Sequence, residues 1–392
     1  MRTDSFAPFV AWSQAKGIST PLELVGEGSY RKMVLPSDES KLLSQSTNNE
    51  GGLVQLIQAP LEACLVGEDF ETLVDKLVFE KKQGADSDFA PWLDQFPTEE
   101  EFGGMPRFWT QGRRDFVKQF DGGQLEARMD RDKLRYDKVD DQWALACVDS
   151  RSNFLPDNTY SMTPLLDMLN HDSRVKTSAR LDGANRLLLE ATSDTIYLTG
   201  QEDKKEEDSN NDWKSQLFGG FFGGVGGGDN NSDAIPSFRP GQEVFVSYGN
   251  FDNMETLCNY GFVAENNVAN IESFRVRVMG KAPAYLIIEN DGSIDNLFNM
   301  LSLTDLRVNL LVENEMELMK EYSGDGIISE RNELETWAVI AGELDEAAYE
   351  AKTGIREAEA KNDMMVASYL RGRLNTLQKG LDKLKAEYPD LF

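Results

Sequence analysis

Histidine is almost missing from this 392-residue chain, which has only His171. Zinc hydrolase sites built on two or three histidines are therefore excluded. A Ser-His-Asp triad would have to use His171, and no Gly-x-Ser-x-Gly elbow accompanies it. Cysteine is scarce as well. Cys64, Cys147 and Cys258 lie far apart with no Cys-x-x-Cys pair, so neither a zinc knuckle nor a disulfide framework is indicated. Such usage suits a reducing compartment. No run of about 18 apolar residues occurs, so no membrane-spanning helix is expected. Positive charge is outweighed: 40 Lys and Arg face 68 Asp and Glu, a formal net charge of -28. That opposes the field a phosphate-tracking nucleic-acid binder needs, and it is compatible with a lysine-rich protein partner, although solubility accounts for most of it. The opening residues Met1-Arg2-Thr3-Asp4-Ser5 carry an acid and no apolar core, so no secretory signal is expected there.

The length suggests two to three domains at roughly 150 residues each. Helical spacing predicts a first helix over 6–16, stopped at Gly17, and another over 71–82 with Leu73, Leu77 and Val78 on one face. Short strands are predicted at 22–25, 33–35 and 53–57, with a polar loop at 37–52 between the last two. Residues 89–93 read as irregular, and 108–120 and 125–148 as mainly helical. Residues 186–191 and 195–199 read as a strand pair around a Thr-Ser-Asp turn. The segment Gly200 to Asp233 mixes acids, Asn and Ser with a run of glycines, and is read as a surface insertion too polar to offset its ordering entropy. It is no P-loop, because no Gly-Lys-Ser/Thr follows. A strand over 243–248, a short helix over 253–259 and an alternating strand around Phe274, Val276 and Val278 come next. From about Ser302 the chain turns helical. Val366, Leu370, Leu374, Leu377, Leu381 and Leu384 recur at spacings of 3 and 4, a stripe read as packing onto a neighbouring helix rather than as a coiled-coil dimer.

Two blocks carry the most specific signal. One is Pro164-Leu165-Leu166-Asp167-Met168-Leu169-Asn170-His171. The other runs from Gly241-Gln242-Glu243-Val244-Phe245-Val246-Ser247-Tyr248-Gly249 to Asn259-Tyr260-Gly261-Phe262. With Gly26-Glu27-Gly28-Ser29-Tyr30-Arg31, the Pro91-Trp92-Leu93 segment and Trp143-Ala144 through Val148-Asp149-Ser150-Arg151, they stand in the order found in SET-domain methyltransferases. The chain resembles the branch that includes the Rubisco large-subunit lysine methyltransferase, well over residues 6 to about 280 and less distinctively in the helical tail. One departure stands out: Tyr30-Arg31-Lys32-Met33 occupies the place of the family's Arg-Gly-Leu or Gly-Leu-Gly-Leu, with Lys32 at a glycine position.

The resemblance implies an α+β fold, a SET-type β domain closed by a pseudoknot. It places this domain at 1–280, with a helical inset at about 70–145 and the insertion at 200–233. An all-α substrate-binding domain at 281–392 follows. It implies methyl transfer from S-adenosylmethionine, without a metal, to a lysine on a protein substrate. The net charge and the lack of a long apolar run leave no nucleic-acid or membrane partner expected, and a monomer is expected. Cytosol or nucleus is the expected compartment, with the plastid open. Carried over by motif, Glu27, Gly28, Ser29, Asn170, His171 and Phe262 would hold the cofactor. Tyr260 would be the catalytic tyrosine, its hydroxyl accepting a weak bond from the methyl group and orienting the amine. Tyr248 would line the lysine channel. Arg151 and Asp167 would either hold substrate or pair with each other. His171 by itself reads as a packed core histidine; the flanking motifs move it to the cofactor's wall. A protein-histidine methyltransferase and a degenerate, non-catalytic binding module are the alternatives, the altered first loop favouring the latter.

Overall fold

The computed structural model describes residues 6–27, 30–43, 53–155, 158–172, 175–192, 239–264, 267–278, 280–281, 283–296, 302–318 and 326–392. In chain order the elements begin α1 (Ala7–Ala15), β1 (Glu23–Glu27), β2 (Tyr30–Val34), α2 (Glu39–Leu43), β3 (Leu53–Pro60), β4 (Leu65–Gly67), α3 (Phe70–Gln83) and α4 (Ala90–Leu93). They continue with α5 (Gln111–Lys118), α6 (Gln124–Arg135), α7 (Gln142–Arg151), β5 (Ser152–Phe154), β6 (Tyr160–Met162), β7 (Asn170–His171), β8 (Thr177–Leu181), β9 (Arg186–Thr192) and β10 (Phe245–Val246). The remainder are α8 (Asn253–Tyr260), β11 (Glu272–Val276), β12 (Ala284–Ile288), β13 (Ile294–Asn296), α9 (Leu303–Asn309), α10 (Glu330–Ala360) and α11 (Met364–Glu387). The chain divides into two compact units, Met1–Gly103 with Tyr136–Asn250, and Gly104–Arg135 with Phe251–Phe392. The division does not follow a boundary at 280, and it distributes the predicted inset: α3, α4 and α7 belong to the first unit, α5 and α6 to the second.

The first unit is built from small sheets. β1 and β2 form an antiparallel hairpin, β3, β9 and β8 a three-stranded sheet, β4, β6 and β5 another, and β7 pairs in parallel with β10. β9 is central and buried along Leu187 to Ala191, and its one buried acid, Glu190, is held by a two-pronged bond from Arg180 at 2.8 and 2.9 Å. β3 and β8 occupy the two edges of β9. Residues 195–199 and the 200–233 insertion lie outside the described residues.

The helices follow their caps. Asp69 accepts from the Thr72 amide at 2.7 Å to start α3, whose Leu73, Val74 and Leu77 are buried. The helical stretch predicted over 125–148 is broken, because Asp141 caps a new helix by accepting from Ala144 at 2.9 Å. Residues 89–93 contain the short helix α4 rather than irregular chain, and α2 stands in the predicted loop.

The second unit packs the sheet β11-β12-β13 against a helical hairpin, α10 and α11, which turns at Asn362 in a left-handed conformation. Phe274, Val276, Leu286 and Ile288 of the sheet share a core with Ile340, Leu344, Leu377, Leu381 and Leu384. Val366 and Leu370 continue the stripe into a second core with Val117, Phe120, Leu257 and Ile355. The stripe thus packs inside the protein, on the neighbouring helix. The helical tail also carries two strands the sequence reading did not place, β12 and β13. Among the described residues no helix is long and apolar enough to cross a membrane.

Candidate active site

In the first unit the Asn-His segment is gripped from two sides. β7 pairs with β10 in register Asn170 with Phe245 and His171 with Val246. The chain just before β10 pairs with β2: Val244 donates to the Met33 carbonyl at 2.9 Å, and Leu35 to the Gln242 carbonyl at 2.8 Å. One short segment therefore ties β2 to β7, although only Phe245 and Val246 of the predicted 243–248 strand are regular.

This pairing fixes the Asn170 side chain. Its Nδ2 donates to Glu243 Oε1 at 2.7 Å and to the Arg31 carbonyl at 3.1 Å. Both partners are acceptors here, so the NH2 group must face them. Asn170 Oδ1, an acceptor with two lone pairs, has no partner among the described residues. Glu243, which the sequence reading did not single out, is the hub. It also receives the Tyr30 hydroxyl at 3.1 Å and lies 3.7 Å from Lys32 Nζ. Burial pushes its pKa up, against the bonds and charge that favour the carboxylate. A clue was available in β2, where Tyr30 and Lys32 share one face by the period-two rule.

His171 is buried. Its Nδ1 accepts from the Tyr248 amide at 3.0 Å, and the two rings stack with centroids 5.0 Å apart. Burial lowers the imidazole pKa, against the Val246 carbonyl and Asp172. The ring is therefore neutral at pH 7, with its Nδ1 lone pair already taken by the Tyr248 amide. Tyr248 donates its hydroxyl to the Leu169 carbonyl at 2.7 Å, and burial raises its pKa far above the usual range, so it stays a phenol.

Arg151 and Asp167 pair with each other. Arg151 Nη1 lies 3.1 Å from Asp167 Oδ2 and donates to the Asp167 carbonyl at 3.0 Å, while Trp92 Nε1 donates to the same Oδ2 at 3.0 Å. Asp167 follows Leu165, a buried non-glycine residue at φ +68°, a conformation L side chains rarely adopt. Gly26 is required by space alone, since a Cβ there would lie 2.2 Å from the Tyr30 carbonyl oxygen across the hairpin. Glu27 ends β1, and Gly28 and Ser29 lie outside the described residues.

The second unit carries the other block. Asp252 and Glu255 form a reciprocal capping box at the start of α8, at 2.7 and 3.1 Å. Tyr260 is the last residue of α8. Gly261 ends the helix at φ +77°, a left-handed turn that favours glycine. A Cβ on Gly104 would lie 2.3 Å from the Gly261 oxygen, so two glycine backbones touch beneath Tyr260. The half-buried Tyr260 ring stands 5.9 Å from Phe251 and 6.0 Å from Phe262. The structure thus brings Asn170, His171, Tyr248, Arg151 and Asp167 together in one unit, and Tyr260 with Phe262 in the other.

No family description matches the sequence, and no curated protein aligns with it. Solved structures do match. The SET domain of LSMT bound to lysine and AdoHcy superposes with a TM-score of 0.60 at 14% identity, covering 99% of this chain and 92% of that one. Rubisco LSMT bound to sinefungin and monomethyllysine gives 0.60 at 15%, covering 99% and 93%. Rubisco LSMT bound to AdoMet gives 0.55 at 16%, with the same coverage. The chain has the SET-domain fold. Within this SET fold, the Asn-His segment on β7 and the tyrosine that ends α8 are each fixed by backbone pairing or capping, not by side-chain packing alone. Among the described residues no group of three or more His, Cys, Asp or Glu is placed to hold a metal ion.

Proposed function

We propose that this SET protein transfers a methyl group from S-adenosylmethionine to a lysine side chain of a protein. The observation that carries the reading is Asn170. Its amide nitrogen is spent on Glu243 and Arg31, which leaves its oxygen as an acceptor beside the stacked His171–Tyr248 pair. An exposed acceptor oxygen fits the ammonium of the cofactor's amino-acid end, so the residues present suit the group. Glu27, Gly28, Ser29, His171 and Phe262 are the other residues proposed to hold the cofactor. The solved neighbours that share the fold hold AdoMet, AdoHcy or sinefungin, and two of those cited hold lysine or monomethyllysine.

Bound S-adenosylmethionine supplies an electrophilic sulfonium methyl. The chain has to orient a neutral amine in line with it, because charge disperses in such a displacement and alignment supplies much of the rate. A lysine near pKa 10.4 is mostly protonated at pH 7. Apolar walls disfavour the cation, and the buried His171 and the half-buried Tyr248, both uncharged, are proposed to provide them on the first unit. Tyr260 is the proposed catalytic residue, orienting the amine through its hydroxyl, and Tyr248 the proposed channel residue. Arg151 is proposed to contact substrate, held in place by its pair with the fully buried Asp167 side chain.

Titration calorimetry with S-adenosylmethionine is expected to show saturable one-to-one binding. Absence of binding would sink the enzyme reading in favour of a non-catalytic SET module. Labelled cofactor added to protein extracts, followed by mass spectrometry, then identifies the acceptor; methyl-histidine in place of methyl-lysine would replace the substrate class.

A further inference from the structure

Tyr260 ends a helix that is seated between two glycines, one at each end of α8. At the C-terminal end, a Cβ on Gly104 would lie 2.3 Å from the Gly261 oxygen and 3.2 Å from the Gly261 Cα and carbonyl carbon. Gly104 does not hold a left-handed φ, so space and not conformation excludes a side chain there. The wall to which Gly104 belongs is anchored. Met105 beside it is fully buried, and its carbonyl accepts from the Phe108 amide at 3.0 Å to close a tight turn over Pro106–Phe108. Trp109 then enters the core that holds Leu257, Cys258 and Val263. At the N-terminal end, Asn253 is fully buried. Its amide donates to Asn270 Oδ1 at 2.9 Å, and its Oδ1 accepts from Asn267 Nδ2 at 3.2 Å. Its Nδ2 rests against Gly372 of α11, where a Cβ would come within 2.2 Å. A helix of this length is a stiff rod about 12 Å long, so α8 has no slack at either end.

We propose that Gly104 is a positioning residue for methyl transfer. It lets the Gly261 carbonyl close onto bare backbone, and that contact sets where α8 ends and therefore where the Tyr260 hydroxyl stands. The inference rests on the methyltransferase reading above, with Tyr260 as its catalytic residue, and adds a residue that lies outside the motifs behind that reading. Contacts of a Cβ with an oxygen are essentially never shorter than 3.0 Å, so alanine at 104 displaces one of the two backbones by about 0.7 Å. The Gly104 side is held by the buried Met105 and Trp109, so the Tyr260–Gly261 turn takes the shift. Where alignment supplies the rate, a misplacement on the order of 1 Å costs about 100-fold.

The test is a mutant cycle on the full chain. Labelled S-adenosylmethionine, with a protein extract as acceptor, reads turnover at saturating cofactor. Calorimetry with S-adenosylhomocysteine reads cofactor affinity. Gly104→Ala is expected to lower turnover about 10- to 100-fold, with a much smaller loss of S-adenosylhomocysteine affinity. Placed on Tyr260→Phe, which has already lost the hydroxyl, it should lower turnover by less than about 3-fold more, because residues that act through one group are not additive. A general loosening of the fold lowers turnover by the same factor in both backgrounds, and that result would overturn the inference. So would full turnover in Gly104→Ala. An affinity loss as large as the turnover loss would make Gly104 a wall of the cofactor site and equally overturn it. If Tyr260→Phe itself keeps full turnover, the inference falls while the methyltransferase reading stands. If the wild-type chain transfers no label, that reading fails, and this inference with it. Should Gly104→Ala not fold, Gly372→Ala pushes α8 from its other end and carries the same cycle. Alanine suits the interior of α11 better than glycine, so a loss of turnover there, absent on Tyr260→Phe, does not come from a weakened helix.

Discussion

On the proposed methyltransferase reading, replacing Tyr260 by phenylalanine is expected to lower turnover by about 100-fold, roughly 2.7 kcal/mol of transition-state stabilisation, in single-turnover assays at saturating cofactor. The substitution removes one oxygen and keeps the ring. The contacts to Phe251 and Phe262 survive, as do the α8 capping box and the Gly261 turn that place the side chain. Stability should therefore change far less than turnover, because the ring and the elements that hold it are kept. Tyr248→Phe is the informative companion. Its hydroxyl is committed to the Leu169 carbonyl, one residue before Asn170. Removing it leaves a carbonyl without its partner at about 1–3 kcal/mol. Tyr248→Phe is thus expected to lower both melting temperature and turnover, and Tyr260→Phe turnover alone. Unchanged turnover in Tyr260→Phe would remove it from the chemistry and leave Tyr248, already stacked on His171, as the tyrosine to pursue.

These two tyrosines also show what a sequence can and cannot disclose. Gly261 after a helical run reads as a helix terminus from composition alone, because a left-handed residue is needed there. The stripe from Val366 to Leu384 is similarly legible, since period and apolarity agree along its length. β8 is not. Its residues are mostly exposed, so Thr177 to Leu181 carries little apolar alternation, and its place is set by the open edge of β9. The Asn-His motif marks Asn170, yet nothing local reveals that Glu243, 73 residues later, takes its amide. Nor does spacing choose between the alternatives for Arg151 and Asp167. Their pairing depends on Trp92, an inset residue, arriving beside the same carboxylate oxygen. Contacts set by topology across long loops are the part that pattern reading misses. At the site they decide which atoms of a motif residue remain available.

The largest stability effect is expected at a charge the sequence reading passed over. Arg373, on α11, is almost fully buried and donates to Glu272 Oε2 at 2.7 Å and to the Ser273 carbonyl at 3.3 Å. One turn on, Thr376 receives the Asn270 amide at 2.8 Å, and Asn270 Oδ1 in turn accepts from the Asn253 amide at 2.9 Å, at the first residue of α8. A buried polar chain within the second unit thus connects the last helix to the helix that ends in Tyr260. Arg373→Met should cost about 3–5 kcal/mol, the usual penalty for orphaning a buried partner. The pH dependence gives the loss a signature. Burial already pushes Glu272 up to about 7, against the Arg373 charge. Its folded pKa lies above its unfolded one, so the folded state holds the proton more tightly, and this group's contribution to stability falls as pH rises from about 4.5 to 7. Without Arg373 the folded pKa rises further. The variant then goes on losing stability above pH 7, where the wild type has levelled off, and the gap between them should widen between pH 6 and pH 9 in urea unfolding. Replacing the pair together, Arg373→Met with Glu272→Leu, should recover most of the loss and flatten that difference, because apolar side chains of similar volume can stand in for a buried ion pair. A gap that stays constant with pH would mean that Glu272 is already ionised in the folded protein, and that the loss comes from packing around the arginine stem instead.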